Sequence, residues 1–158
     1  MIDGRLPSLD RLPEHRKLLE RAVVRLQDDV RVVGLMVGGS LALGGADIYS
    51  DVDLYTVVQD EALDEIFAER DAIVEAVGSP LFGFIVAPIP GGSTDHIVIY
   101  EGPVKFDFMY LKESDLKLAP KWVGCPVLKD ASGHVGAVVA GSAGLLRRLN
   151  RLRRNSWT

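Results

Sequence analysis

Leu18, Leu19, Ala22, Val23 and Leu26 recur three and four residues apart, the spacing that lines one face of an α-helix. Pro13 suits the first turn of that helix, where a missing N–H costs nothing. Asp28 and Asp29 oppose the negative end of a helix, so the chain leaves it there. From Val30 to Val37 (VRVVGLMV) the periodicity gives way to a nearly continuous apolar run, as in a strand buried on both faces. Gly38 and Gly39 follow, and Ser40 reads as the N-cap of a short helix over Leu41, Ala42 and Leu43, stopped by Gly44 and Gly45. Asp51 to Val58 (DVDLYTVV) predicts a second strand. Asp60 reads as the cap of a long amphipathic helix, with Leu63, Ile66, Phe67, Ile73, Val74 and Val77 inward and Gly78 closing it. Leu81 to Ala87 predicts a third strand and Pro88 to Gly92 a turn. His96 to Tyr100 and Val104 to Tyr110 predict two more strands, joined by a tight hairpin at Glu101-Gly102-Pro103. Past Leu111 the pattern weakens until Leu145 to Arg154 (LLRRLNRLRR), a basic amphipathic helix with Leu145, Leu149 and Leu152 on one side. The chain has no internal repeat and no low-complexity tract.

This order predicts an α/β chain of the α+β type, a mixed sheet of about five strands with helices packed on it. With 158 residues, 47% hydrophobic and 25% charged, it reads as one domain over residues 1–158, large enough to bury a core without staples. The single cysteine, Cys125, has no internal disulfide partner, which fits a reducing, cytoplasmic setting. Asp3, Arg5, Asp10, Arg11 and Glu14 interrupt any signal-peptide core. The longest uncharged stretch, Ala76 to Thr94, is broken by three prolines, against a membrane span.

Charge adds what the hydrophobic pattern does not show. The net −4 divides into +1 over residues 1–44, −12 over 45–115 and +7 over 116–158. Most acids of the 61–75 region suit one solvated helix face. An acidic middle repels phosphate unless a divalent metal neutralises it. The basic C-terminal helix is expected to dock on the acidic middle of its own chain or of a second copy, a homodimer being one such arrangement. Binding to nucleic acid or to an acidic lipid surface is the less favoured reading.

Three carboxylates carry the clearest chemistry. Asp51 and Asp53 are two apart on a strand and share one face, with Val52 and Leu54 turned to the other. Asp107 sits between Phe106 and Phe108 with the same alternation. Together they make a hard-oxygen site suited to Mg²⁺, and two such ions can clamp a phosphoryl centre. Gly38 and Gly39 leave room for a bulky anion against the backbone, and the Ser40 hydroxyl can donate to a phosphate oxygen. Lys105 should share the face of Asp107, where it touches phosphate or forms a salt bridge. No GxGxxG and no Gly-Lys-Ser/Thr is present, which sets aside dinucleotide folds and Walker P-loops. Glu101, His96, His134, Cys125 and Trp122 lack motif partners and read as turn, packing or core residues.

GGSLALGGADIYSDVDLYTVV resembles the signature of the DNA polymerase beta-like nucleotidyltransferase superfamily, above all its minimal and aminoglycoside-type members. The resemblance covers residues 30–111. It implies that Gly39 and Ser40 hold the β- and γ-phosphates of a nucleoside triphosphate such as ATP. It further implies that Asp51 and Asp53 bind metal, and that Asp107 completes the second metal site and acts on the acceptor hydroxyl. Where many minimal members carry arginine, this chain has Leu41 and Leu43. The activity implied is Mg²⁺-dependent transfer of a nucleoside monophosphate to a small hydroxylated acceptor, an aminoglycoside-like molecule being one option. The alternative is a weak nucleotidyltransferase module acting with or on a partner protein, as in toxin–antitoxin pairs.

Overall fold

A computed structural model describes residue 2 and residues 4–155. Helix α1 (Pro13–Leu26) leads into strand β1 (Val32–Gly38), the short helix α2 (Gly39–Leu43) and strand β2 (Val52–Val58). Helices α3 (Leu63–Ala68) and α4 (Arg70–Val77) precede β3 (Pro80–Val86), β4 (Thr94–Tyr100) and β5 (Val104–Lys112). Strand β6 (Val127–Asp130) and helix α5 (His134–Asn155) complete the described fold. The sheet runs β3-β4-β5-β2-β1-β6. Only β2 and β5 pair in parallel; every other neighbouring pair is antiparallel. The mixed α+β architecture is the one the pattern predicts, with six strands in place of about five.

Each face of the sheet is packed by different elements. On one, Leu19, Ala22 and Leu26 of α1 and Ile73 and Val77 of α4 meet Val52, Leu54, Val98, Phe106 and Phe108. Tyr100 is buried there too, and its hydroxyl donates to the Val74 carbonyl at 2.8 Å. On the other, Val135 and Val138 of α5 cover Met36, Val57 and Leu111 together with Leu116 and Trp122. This second layer lies over one end of the strands and leaves the start of β2 and of β5 uncovered by it.

Several local expectations are corrected. The helix after Ser40 begins at Gly39 with Gly38 at the cap position, and no side chain makes a cap bond. Ser40 therefore lies inside the first turn. The long 60–78 helix is divided: a 3-10 turn at Asp60–Ala62, then α3 and α4 separated at Glu69. Asp60 does not cap it; its carboxylate accepts from the Ser114 amide at 3.1 Å. The basic helix expected at 145–154 is the far end of α5, which starts at His134. Residues 147–155 of α5 are exposed, so the helix is not laid on the acidic middle of its own chain.

Candidate functional site

Alternation along two strands builds the acidic site. Val52, Leu54, Phe106 and Phe108 are each 0% exposed. Fully burying such a side chain is worth ~1.5–3 kcal/mol. A slip of one residue on either strand would put a carboxylate into that core and these side chains outside it. Register is thereby fixed, and in the parallel pair Asp53 stands directly opposite Asp107. Asp51 lies just before β2. One oxygen from each of the three carboxylates falls within 4.8 Å of the others. Lys105, two residues before Asp107, joins them: its Nζ is 2.8 Å from Asp51 Oδ2 and 3.1 Å from Asp107 Oδ2. Of the sequence-predicted residues, these four come together. Of the two roles expected for Lys105, the salt bridge is present.

Crowded carboxylates in a part-buried site resist ionisation. Burial, then the charges of Asp107 and Asp51, push the Asp53 carboxyl up to about 6. Burial also raises Asp107, and this outweighs the lowering by its Lys105 bond. Burial alone would favour neutral Lys105, but its bonds to Asp51 and Asp107 win and hold the ammonium above its ordinary range.

The glycines abut this cluster. Gly38 on β1 is the register partner of Asp53. Gly39 has φ +63°, and a Cβ there would collide with Asp53 Oδ2. Both the left-handed backbone and the contact demand glycine. A Cβ on Gly38 would come 2.8 Å from the Tyr55 ring. Gly38 and Gly39 therefore line the site beside Asp53, and Ser40 follows in the first turn of α2. The helix they open has five residues, too few for its dipole to add much.

The donor set suits a divalent cation. All three ligands are carboxylates, the hard donors that Mg²⁺ and Ca²⁺ favour. Asp107 Oδ1 is buried with no hydrogen-bond partner, and a cation would satisfy that oxygen.

Sequence reading missed two neighbours. Tyr55 is two residues beyond Asp53 on the same face, and Asp95 stands across Met109 from it in the sheet. Asp95 Oδ1 is likewise buried without a partner. The period-two rule that grouped Asp51 with Asp53 extends to Tyr55, but Asp95 required the pairing of β4 with β5. Tyr55 also lines a cavity of about 250 Å³ with Gly91, Gly92, Lys121 and Trp122, and its ring meets that of Trp122 edge-on at 4.7 Å. A wider depression, about 630 Å³, lies at the other end of β2 and β5 among Asp60, Glu113 and His134 and contains none of the triad. The remaining candidates are not part of the carboxylate cluster. Trp122 and Cys125 are buried, His96 is buried on the helix-covered face, and His134 Nε2 bonds the Leu116 carbonyl at 3.0 Å. Glu101 is an exposed residue of the β4–β5 turn, as expected.

No family model matches the chain, and a search of curated proteins finds no match. Among solved structures, an aminoglycoside 6-adenyltransferase from Bacillus subtilis superposes on 68% of the chain, with a TM-score of 0.50 and 18% identity. The fold is that of the nucleotidyltransferases. The Cid1 poly(U) polymerase aligns over 68% of the chain at 18% identity and a TM-score of 0.44. A CCA-adding enzyme aligns over 78% at 21% identity and a TM-score of 0.35. The matched part is 39%, 32% and 31% of those proteins, so the chain corresponds to well under half the length of each nucleotidyltransferase-fold neighbour.

Proposed function

We propose that the chain is a Mg²⁺-dependent nucleotidyltransferase that moves a nucleoside monophosphate from a nucleoside triphosphate, ATP in the first instance, to a hydroxyl acceptor. The observation that carries the reading is the convergence of Asp51, Asp53 and Asp107 on a cluster spanning 4.8 Å, walled by Gly39. In this reading the three aspartates hold the metal, which when bound neutralises phosphate charge and polarises the reacting phosphorus.

The chain's own residues then act as follows. The Gly38–Ser40 backbone and the Ser40 hydroxyl receive the β- and γ-phosphates beside Asp53. Asp107, on the strand beyond Asp53 from that wall, faces the acceptor. The acceptor oxygen forms a bond to the α-phosphorus as the bond to the bridging oxygen of pyrophosphate breaks, and the acceptor proton passes to Asp107. That role requires Asp107 to stand within hydrogen-bond reach of the acceptor hydroxyl. Positioning and charge supply most of the acceleration.

A second reading makes a partner protein the acceptor or the activator. It draws on the exposed basic end of α5 and on β3, whose seven residues are all exposed although five are large and apolar. Pyrophosphate release from Mg-ATP, with and without small hydroxylated acceptors, tests both. Asp51→Asn and Asp53→Asn are each expected to lower turnover by about three orders of magnitude or more. Unchanged turnover in both variants would sink the proposal, while nucleotide binding without turnover on any small acceptor favours the partner-dependent form.

A further inference from the structure

We infer that Lys105 is a resident cation of the acidic cluster, which limits the nucleotide-free protein to one tightly held divalent ion. The inference rests on the metal-site reading of Asp51, Asp53 and Asp107.

Lys105 reaches the cluster from β5, the strand that also carries Asp107, and its Nζ bridges Asp51 Oδ2 and Asp107 Oδ2. Those two oxygens come from separate stretches of chain, one leading into β2 and the other on β5, so the ammonium stands between them as a bridging ion would. The oxygens it leaves to other partners are Asp51 Oδ1, the Asp53 carboxylate and Asp107 Oδ1, which is buried and unpartnered. They suffice for one ion completed by water. A second ion would need the oxygens that Lys105 already holds.

Charge leads to the same count. Three carboxylates carry three negative charges and the ammonium cancels one. One divalent ion cancels the rest. A second, without nucleotide, would leave the site two charges positive inside a part-buried pocket, which low dielectric penalises heavily. Lys105 is thus a positioning residue: it holds Asp51 and Asp107 together before metal arrives and keeps the site to one divalent ion. An arginine would keep the charge, whereas methionine keeps the length of the stem and removes the charge.

The test is Mn²⁺ binding to the full chain at about pH 7.5, without nucleotide and read by the paramagnetic resonance of free Mn²⁺. The wild type is expected to bind one equivalent tightly. Lys105→Met is expected to bind a second equivalent about tenfold more tightly than the wild type does, and Lys105→Arg to restore the single equivalent. Thermal melting gives an independent readout. Metal-free Lys105→Met should melt lower than the wild type, and Mn²⁺ should raise its Tm by more than it raises that of the wild type. A lysine that merely packs would lower the melting point without changing the metal count. Two equivalents of equal affinity in the wild type, or one equivalent in both proteins, overturns the inference and leaves the metal site standing. No Mn²⁺ bound by either protein overturns the metal-site reading itself.

Discussion

At the residue scale, the site gathers groups whose protonation competes with the proposed metal binding. The Asp53 carboxyl, ordinarily about 3.9 in an unfolded chain, is raised to about 6 by burial and by Asp107. The metal-free fold therefore binds the proton more tightly than the unfolded chain does. This residue's contribution to stability falls as pH rises through the interval between those values. Metal needs the ionised form, so its dependence has the opposite sign. Mn²⁺ affinity is expected to be flat above about pH 7 and to weaken about tenfold per unit below about pH 6. A titration series from about pH 5 to about pH 8 measures it, and an affinity constant across that whole range would contradict the assignment. Asp51, Asp53 and Lys105 were legible from the sequence because period two is enough to place them. The left-handed turn at Gly39 and its contact with Asp53 were not, since they depend on the pairing of β1 with β2.

At the element scale, legibility followed the strength of the periodic signal. Helix α1 and strands β1 to β5 are long and patterned, and each stands within a few residues of its expected place. Strand β6 has four residues, all half-buried, and too little pattern to be seen. The first half of α5 (HVGAVVAGSAG) was invisible for another reason. Its glycines disfavour a helix by about 1 kcal/mol each, yet they let it pack closely: a Cβ on Gly141 would come 2.7 Å from Leu118, and one on Gly136 would come 2.9 Å from the Asp130 carboxylate. From the sheet side, a Cβ on Gly34 of β1 would overlap the Val135 side chain. Gly34→Ala is expected to destabilise the protein by about 1–3 kcal/mol. In a Val135→Ala background the same change should cost less than about 0.5 kcal/mol. Urea unfolding of the wild type, the two single variants and the double variant decides; an equal cost in both backgrounds would mean that α5 is not seated on β1 as described. The division between α3 and α4 falls at Glu69, whose carboxylate accepts from Arg31, just before β1, at 2.9 Å. That is a tertiary pull which no helical periodicity reports.

At the scale of the whole molecule, parts of the acidic middle that composition revealed enter two clusters. One part forms the site. The other, Glu65 and Glu69, gathers around Arg31, whose guanidinium pairs with them at 2.8 and 2.9 Å and with Asp29 of the first block at 2.6 Å, while Arg25 reaches Glu69 at 3.5 Å. These bonds tie the start of β1 to α3 and hold the Asp29 and Glu69 carboxyls below their ordinary range. Their stabilising effect is full above the unfolded carboxylate range, about pH 4, and is lost as pH falls further. Arg31→Gln should lower stability by about 1–2 kcal/mol at about pH 7, chiefly through Asp29, because Glu65 and Glu69 are too exposed to add much. The difference from wild type should shrink as pH falls below about 4, as melting curves across the acid range would reveal. The arginines of the third charge block lie on the far end of α5, where residues 147–155 stay exposed. Among the described residues no helix is long and apolar enough to cross a membrane. The parallel pairing of β2 with β5 has a consequence in time. Lys105 and Asp51 are 54 residues apart in sequence, and two other strands and two helices intervene. Such a contact closes a long loop and cannot precede most of the sheet. A chain emerging from the ribosome thus has no complete aspartate cluster until β5 docks, and the appearance of the proposed metal binding during refolding would clock the docking of β5 on β2.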